Sequence, residues 1–148
     1  MTGVQTCALP IWMQKMASES KCIIVGSLMI KDNGRFYNRL IWMHPDGSYQ
    51  IYNKRHLFAL AHEEKTYTAG NEKLIIEYKG WRICPLICYD LRFPVWSRRT
   101  KKEDYDVLIY VANWPERRVI AWSQLLIGRA IENQCYVVGV NQIGRAHV

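Results

Sequence analysis

The sequence predicts an α/β protein in which β-sheets pack against layers of helices. In the first half, apolar runs are separated by turn signals at residues 32–34 and 45–48, as expected for hairpins. In the second half, apolar runs alternate with segments whose apolar residues recur at helical spacing. Apolar residues make up 49% of the 148 residues, which is enough for a substantial core.

The first half predicts one helix followed by three strands. Residues 12–20 carry Trp12, Met13, Met16 and Ala17 on one helical stripe. Runs rich in apolar and β-branched residues predict strands at 21–30, 35–44 and 49–53. The middle run is apolar on both faces, so we expect it to be covered on both sides. Residues 55–71 have no sustained period and predict a long loop with a short helical turn, a class of loop that is often functional.

The second half predicts a hairpin followed by alternating helices and strands. Lys79 and Gly80 form the hairpin signal between its two strands. Pro85 is unfavourable inside a central strand, and we expect a local bulge there. The predicted strands are 74–78, 81–87, 105–112 and 134–140, and the predicted helices are 92–102 and 117–132.

A thiol stands where a buried strand is expected to end. Cys88 follows the apolar run 83–87 and precedes the predicted helix 92–102, so it is expected at a sharp turn. The unpaired N–H groups and positive dipole end of a following helix would stabilise a reactive thiolate. The alternative is that Cys88 is a small buried apolar side chain, as free cysteines often are.

The other cysteines are Cys7, Cys22, Cys84 and Cys135. On one strand, the Cα atoms of Cys84 and Cys88 would lie about 13 Å apart, whereas a disulfide requires less than about 7 Å. We therefore expect free thiols in a reducing, cytoplasmic compartment. The cysteines and histidines show no zinc-ligand spacing, so no metal is predicted.

Charge and hydropathy exclude several classes of partner. The formal net charge is +7, but its basic residues are scattered apart from the run 98–102, which is expected to be a solvated helix end. No base-stacking motif accompanies that run, so nucleic-acid binding is not predicted. No apolar run approaches the roughly 20 residues of a membrane span. The sequence has no phosphate-binding glycine loop, and no cofactor is expected.

Four motifs in order carry a resemblance to a known family. They are Tyr-Asn-Lys-Arg-His-Leu-Phe at 52–58, Cys-Tyr-Asp-Leu-Arg-Phe-Pro at 88–94, Ala-Asn-Trp-Pro at 112–115 and Arg-Ala-Ile-Glu-Asn-Gln at 129–134. Over residues 12–142 the chain resembles the nitrilase superfamily of carbon–nitrogen hydrolases, and within it the omega-amidase branch. The resemblance implies an α-β-β-α four-layer sandwich that hydrolyses small amides through a cysteine thioester, commonly as a homodimer.

The resemblance also implies a role for each motif residue. Cys88 would be the nucleophile, and Lys54 the cation beside the oxyanion. The backbone N–H of Tyr89 would be the second oxyanion donor. Glu63 would orient the lysine and the incoming water, although the adjacent Glu64 could take that position instead.

Three further residues are candidate substrate contacts. Arg92 could bind a substrate carboxylate, or it could form a structural ion pair with Asp90. Asn113 and Trp114 follow a predicted strand, where ligands of α/β proteins gather, and are expected to line the pocket. The implied substrates are carboxylate-bearing amides such as 2-oxoglutaramate and 2-oxosuccinamate. Other amides, nitriles and N-carbamoyl amino acids stay open.

Two departures from the family pattern concern completeness. The family's general-base glutamate lies in a Pro-Glu-Met-Phe-like strand end, and no such motif occurs here. Residues 1–11 and 143–148 resemble translated sequencing-adapter DNA, so residues 12–142 are predicted to be a partial domain, incomplete at both ends. We therefore expect this chain alone to be inactive.

Two alternatives compete with the amidase hypothesis. Cys88 could pair with His56 in a papain-like arrangement, because Lys54 and His56 would share a face if the strand 49–53 continued. Alternatively, the chain could be a non-catalytic binding or scaffold domain.

Overall fold

The computed structural model describes residues 8–142, which form two compact units divided after Glu72. Residues 1–7 and 143–148, which hold most of the two predicted adapter-like ends, lie outside the described residues. Each unit combines a helix with a sheet, and the predicted α/β class is confirmed.

The first unit is a three-stranded antiparallel sheet with one helix. Its elements are α1 (Ala8–Ser20), β1 (Ile24–Asp32), β2 (Arg35–Met43) and β3 (Tyr49–Asn53), in sheet order β1-β2-β3. Met13 and Ala17 are buried in a core with Ile41 and Met43. Trp12 is 54% exposed, so its placement on the buried stripe is wrong. The helix also begins four residues earlier than predicted.

The strands of this unit confirm the predicted hairpins. The last five residues of β2 are all buried, so both faces of this part of the strand are covered, as expected. Two 3-10 turns, Ala59–Ala61 and Glu63–Lys65, interrupt the loop that follows β3, as the loop prediction anticipated.

The second unit is a four-stranded mixed sheet. Its strands are β4 (Ile76–Tyr78), β5 (Trp81–Ile87), β6 (Val107–Ala112) and β7 (Tyr136–Asn141), in that spatial order. β4 pairs antiparallel with β5, whereas β5, β6 and β7 are parallel. The helices are α2 (Pro94–Ser97) and α3 (Val119–Asn133). Parallel strands bring the residues after β5, β6 and β7 to one edge of the sheet.

The predicted helix at 92–102 is wrong. Cys88–Arg92 forms a 3-10 turn, α2 covers only Pro94–Ser97, and Arg98 has extended backbone (φ −64°, ψ 129°). The polar residues beyond α2 bond to partners distant in sequence, which draws the chain out of the helix. The backbone N–H of Arg99 donates to Asn133 Oδ1 at 2.8 Å.

The bulge expected at Pro85 is also absent. β5 and β6 keep a continuous parallel register through Pro85 and Ile109. The ladder with β4 ends at Ile83, so the proline lies beyond it, on a stretch of β5 where a missing N–H is tolerated.

Within residues 8–142, we find no helix with the length and apolar character that crossing a membrane would require.

Candidate active site

Cys88 lies at the carboxyl end of β5, on the first residue of the 3-10 turn. Its φ of +44° is in the left-handed region, which costs a non-glycine residue about 1–3 kcal/mol. The thiol is half-buried, and its Sγ lies 4.0 Å from the carbonyl oxygen of Asn113, which follows β6. The strained turn therefore holds this thiol at the edge of the sheet, as the sequence predicted.

Two buried charged residues support the turn. Asp90 is fully buried, and its Oδ2 accepts the N–H of Ile87 at 3.1 Å. Arg129 on α3 is 5% exposed and donates to the carbonyl of Leu91 from Nε at 3.2 Å and from Nη2 at 2.8 Å. Sequence reasoning missed the role of Arg129, although the residue opens one of the family-like motifs.

The helix-dipole argument for Cys88 is not supported. The sequence predicted an eleven-residue helix after the thiol, but a five-residue 3-10 turn and a four-residue helix are present. Such short elements have little macrodipole. The unusual feature of Cys88 is therefore its left-handed backbone conformation, and not the dipole of a long helix after it.

Cys84 provides a contrast in the same unit. It is completely buried within β5, and burial raises the pKa of its thiol to about 12. A neutral, inaccessible thiol is a poor nucleophile. Cys22, Cys84, Cys88 and Cys135 are all free thiols.

Arg92 and Trp114 form a stacked pair in the second unit. The Arg92 guanidinium lies over the Trp114 ring, with Cζ 5.1 Å from the ring centroid. Arg92 is exposed, whereas Trp114 is 6% exposed. The Arg92 side chain therefore makes a cation–π contact with Trp114. Of the three candidate substrate contacts, Asn113 has its carbonyl oxygen 4.0 Å from Cys88 Sγ, and Trp114 follows it in the chain.

Lys54 and Glu63 form a partly buried ion pair in the first unit. The side chain of Lys54 is 2% exposed, and its Nζ donates to Glu63 Oε2 at 2.6 Å. The same oxygen accepts the N–H of Phe58 at 2.8 Å. Glu64 instead lies near His62, at 3.8 Å on the exposed side of the turn. Glu63, rather than Glu64, is therefore the partner of the lysine.

The backbone on both sides of Lys54 is fixed. Its N–H donates to the carbonyl of Asn38 at 2.9 Å, and its carbonyl accepts the N–H of Gly70 at 2.9 Å. A Cβ at Gly70 would lie 2.1 Å from the carbonyl oxygen of Asn53, so the chain can approach only where that residue is glycine. No motif in the sequence indicates this contact.

The geometric basis for the His56 alternative is wrong. β3 ends at Asn53, so Lys54 and His56 do not lie on a continued strand that would place them on one face. Across residues 8–142, no cluster of three or more His, Cys, Asp or Glu side chains could hold a metal ion.

Comparison with known proteins identifies the family. Residues 5–148 match the family model described as carbon-nitrogen hydrolase. An omega-amidase of Escherichia coli K12 is 49% identical over 133 residues, covering 90% of this chain and 51% of the relative. A 2-oxoglutaramate amidase of Bacillus subtilis is 38% identical over 135 residues, covering 90% and 52%.

Solved structures agree with these relatives. A CN-hydrolase superfamily protein of Xanthomonas campestris, with an arsenic adduct in its active site, is 44% identical with a TM-score of 0.89, covering 95% of this chain and 55% of its own. Yeast Nit3, of branch 10 of the nitrilase superfamily, is 25% identical with a TM-score of 0.84, covering 96% and 53%. The chain spans about half the length of the curated relatives it matches. It belongs to the carbon–nitrogen hydrolase family of the nitrilase superfamily.

Proposed function

We propose that this chain carries the nucleophile of an amidase that hydrolyses the C–N bond of a small carboxylate-bearing amide and releases ammonia. The observation that carries the proposal is Cys88, a half-buried thiol held at φ +44° at the carboxyl end of a parallel strand. Relatives named omega-amidase and 2-oxoglutaramate amidase support the reaction class and favour 2-oxoglutaramate or 2-oxosuccinamate as substrate.

The proposed reaction has two stages. In the first, Cys88 Sγ adds to the amide carbon as its thiol proton is removed by a base; the C–N bond then breaks, and the leaving nitrogen receives that proton and departs as ammonia. In the second, water adds to the thioester, the C–S bond breaks, and a carboxylate is released. Oxyanion stabilisation is assigned to the Lys54 ammonium and the backbone N–H of Tyr89. A general-base glutamate is needed in addition, and no motif resembling its surroundings occurs in this sequence.

Glu63 is assigned a positioning role. The Lys54 ammonium has few rotamers available while its Nζ donates to Glu63 at 2.6 Å. A compact cation held in one place stabilises developing charge without reorganising during the reaction. This arrangement supports the role that the family resemblance implies for both residues.

Arg92 is the proposed contact for the substrate carboxylate. Stacking on Trp114 occupies the face of the guanidinium and leaves its in-plane N–H groups for a planar anion. Asn113 and Trp114 are proposed to line the same pocket. Other nitrilase-superfamily amides and N-carbamoyl amino acids are the alternative substrates, and a non-catalytic binding role is the alternative function.

The proposal also covers the second substrate, the partners and the location of the protein. Water is the proposed second substrate, with no cofactor and no nucleic-acid partner. A homodimer of the longer protein and a cytoplasmic location are proposed from the family resemblance and from the free thiols.

The test uses the parent protein, defined as the product of the complete open reading frame that carries residues 12–142. Cys88→Ser should lower ammonia release from 2-oxoglutaramate by at least about 10³-fold while circular dichroism is unchanged, because a hydroxyl lacks the nucleophilicity of a thiolate. Cys84→Ser is not a suitable control because the thiol is buried, whereas exposed Cys22→Ser should retain the parental rate. Turnover by Cys88→Ser within tenfold of the parent would refute the assignment.

A further inference from the structure

Asn141, the last residue of β7, pairs with the backbone of Trp114. Its Oδ1 accepts the Trp114 N–H at 2.6 Å, and its Nδ2 donates to the Trp114 carbonyl at 3.1 Å. The side-chain amide of Asn141 thus bonds to both the N–H and the carbonyl of one residue, using its own oxygen as acceptor and its own NH2 as donor. The pair spans 27 residues of sequence and joins the ends of β6 and β7.

Other contacts fix the ring of the same tryptophan. Its Nε1 donates to the carbonyl of Arg118 at 2.9 Å, and its ring centroid lies 5.3 Å from that of Trp122 on α3. Backbone and ring are therefore held separately, which leaves Trp114 one orientation. The Arg92 guanidinium stacks on this ring at 5.1 Å.

The contacts of Arg92 explain why this support matters. The Arg92 guanidinium stacks on Trp114, and the residue as a whole is exposed. An exposed arginine samples many rotamers unless a neighbour restricts it. The position of its N–H groups therefore depends on the position of the ring beneath it.

We propose that Asn141 is a positioning residue for substrate selection: by fixing the Trp114 backbone, it places Arg92 to receive the carboxylate of the substrate. The inference rests on the proposed amidase function. Both polar groups of the Asn141 side chain bond to Trp114, so its proposed action runs through Trp114 and Arg92. Its loss should weaken binding of carboxylate-bearing amides and affect neutral amides far less.

The experiment compares two five-carbon amides, 2-oxoglutaramate with its carboxylate and pentanamide without one. The parent protein, Asn141→Ala, Arg92→Ala and the double variant are assayed for ammonia release with both substrates. We expect Asn141→Ala to lower kcat/KM for 2-oxoglutaramate about tenfold, mainly through KM, and to change pentanamide hydrolysis by less than about threefold. The double variant should be no more than about twofold worse than Arg92→Ala, because both changes remove one interaction.

A matched control lies next to Asn141. Gln142 is exposed, and its hydrogen bond to Ala112 is made by the backbone, so Gln142→Ala should retain the parental preference between the two substrates. If Asn141→Ala does not fold, Asn141→Asp decides the matter. It keeps the acceptor for the Trp114 N–H but replaces the donor with an oxygen, and it should show the same selective loss.

The outcomes separate the two proposals. Equal losses on both amides, or losses that multiply in the double variant, would show that Asn141 supports the fold generally and would overturn the inference alone. A folded parent that releases ammonia from neither 2-oxoglutaramate nor any other carboxylate-bearing amide would overturn the proposed function and the inference with it.

Discussion

At the scale of single residues, the first unit contains a buried lysine, Lys54, that is paired with Glu63. The Lys54 side chain is 2% exposed, and an ammonium removed from water in this way needs an anionic partner. Glu63 supplies one oxygen that accepts from both Lys54 Nζ and the Phe58 N–H. The carboxylate therefore ties the lysine to the loop that follows β3.

Replacing Glu63 should have effects on stability and activity that replacing the adjacent Glu64 does not. Glu63→Gln retains an acceptor but loses the charge, so we expect the free energy of unfolding of the parent protein to fall by about 1–3 kcal/mol. Amidase activity should fall by about 10²-fold. Urea denaturation and ammonia release measure the two effects.

Glu64→Gln is the matched control. The Glu64 side chain is 46% exposed and pairs with an exposed histidine, so both quantities should stay within about twofold of the parent. Equal sensitivity at the two positions would contradict the assignment of Glu63.

Buried acids in the second unit predict a pH dependence of stability. Burial raises the pKa of Cys84 to about 12 from an ordinary 9.0, and it raises the pKa of Tyr110 above its ordinary 10.0. The folded state keeps their protons at pH values where the unfolded state has lost them. Stability is thus complete below about pH 9 and falls as pH rises toward the folded-state values.

Tyr110→Phe tests the contribution of the tyrosine. The substitution removes its ionisation but also the hydroxyl contact with Ser97 Oγ at 2.7 Å. The variant should lose about 1 kcal/mol at neutral pH, yet its stability should fall less steeply above about pH 10. Urea denaturation across that range gives the slope, and parallel slopes for parent and variant would contradict the linkage.

At the scale of elements, α3 approaches β7 closely because Gly139 has no side chain. A Cβ there would lie 2.5 Å from Leu126 Cδ1 and 2.8 Å from Trp122 Cζ2. Gly139→Ala should therefore lower the free energy of unfolding by about 1–3 kcal/mol through overpacking. Urea denaturation of the parent protein measures it.

Gly128 provides the control within α3. A Cβ there meets no atom within 4 Å, so Gly128→Ala should raise stability by about 0.5–1 kcal/mol through helix propensity. Destabilisation of similar size at both glycines would mean that helix contacts, rather than the approach to β7, limit the packing.

Some boundaries of the helices and strands follow from local sequence, whereas others depend on distant contacts. Strand ends next to strong turn signals were predictable: β2 begins at Arg35, β3 begins at Tyr49 and β5 begins at Trp81. The end of α2 was not, because it depends on bonds such as that from Arg99 to Asn133, 34 residues away.

The residues of the candidate site also fall into two groups, those that the sequence predicts and those that it does not. Motif residues such as Cys88 and Lys54 could be predicted from the sequence, because each belongs to a short run of residues that can be recognised from residue types and their order. The supports could not, because Arg129, Asn141 and Gly70 act on backbone groups that only the folded chain brings near them.

At the scale of the whole molecule, the sheet of the second unit ends at β7. Among the described residues β7 pairs with β6 on one side, and its Tyr136, Val138 and Val140 are 68%, 44% and 53% exposed. An apolar edge strand of this kind promotes association between chains. We therefore expect the 148-residue chain to be less soluble than the parent protein.

The expected activity of the 148-residue chain depends on which of the proposed catalytic residues it contains. It carries the proposed nucleophile, lysine and one glutamate, whereas no segment resembles the surroundings of the family's general base. Loss of a general base lowers rates by about 10²–10⁴-fold. We therefore expect no measurable ammonia release from 2-oxoglutaramate by the 148-residue chain, and clear release by the parent at the same concentration of soluble protein. Glu63 could replace the base only by giving up Lys54, which it binds at 2.6 Å. A rate for the chain as high as a hundredth of the parental rate would show that the residues present here suffice for catalysis.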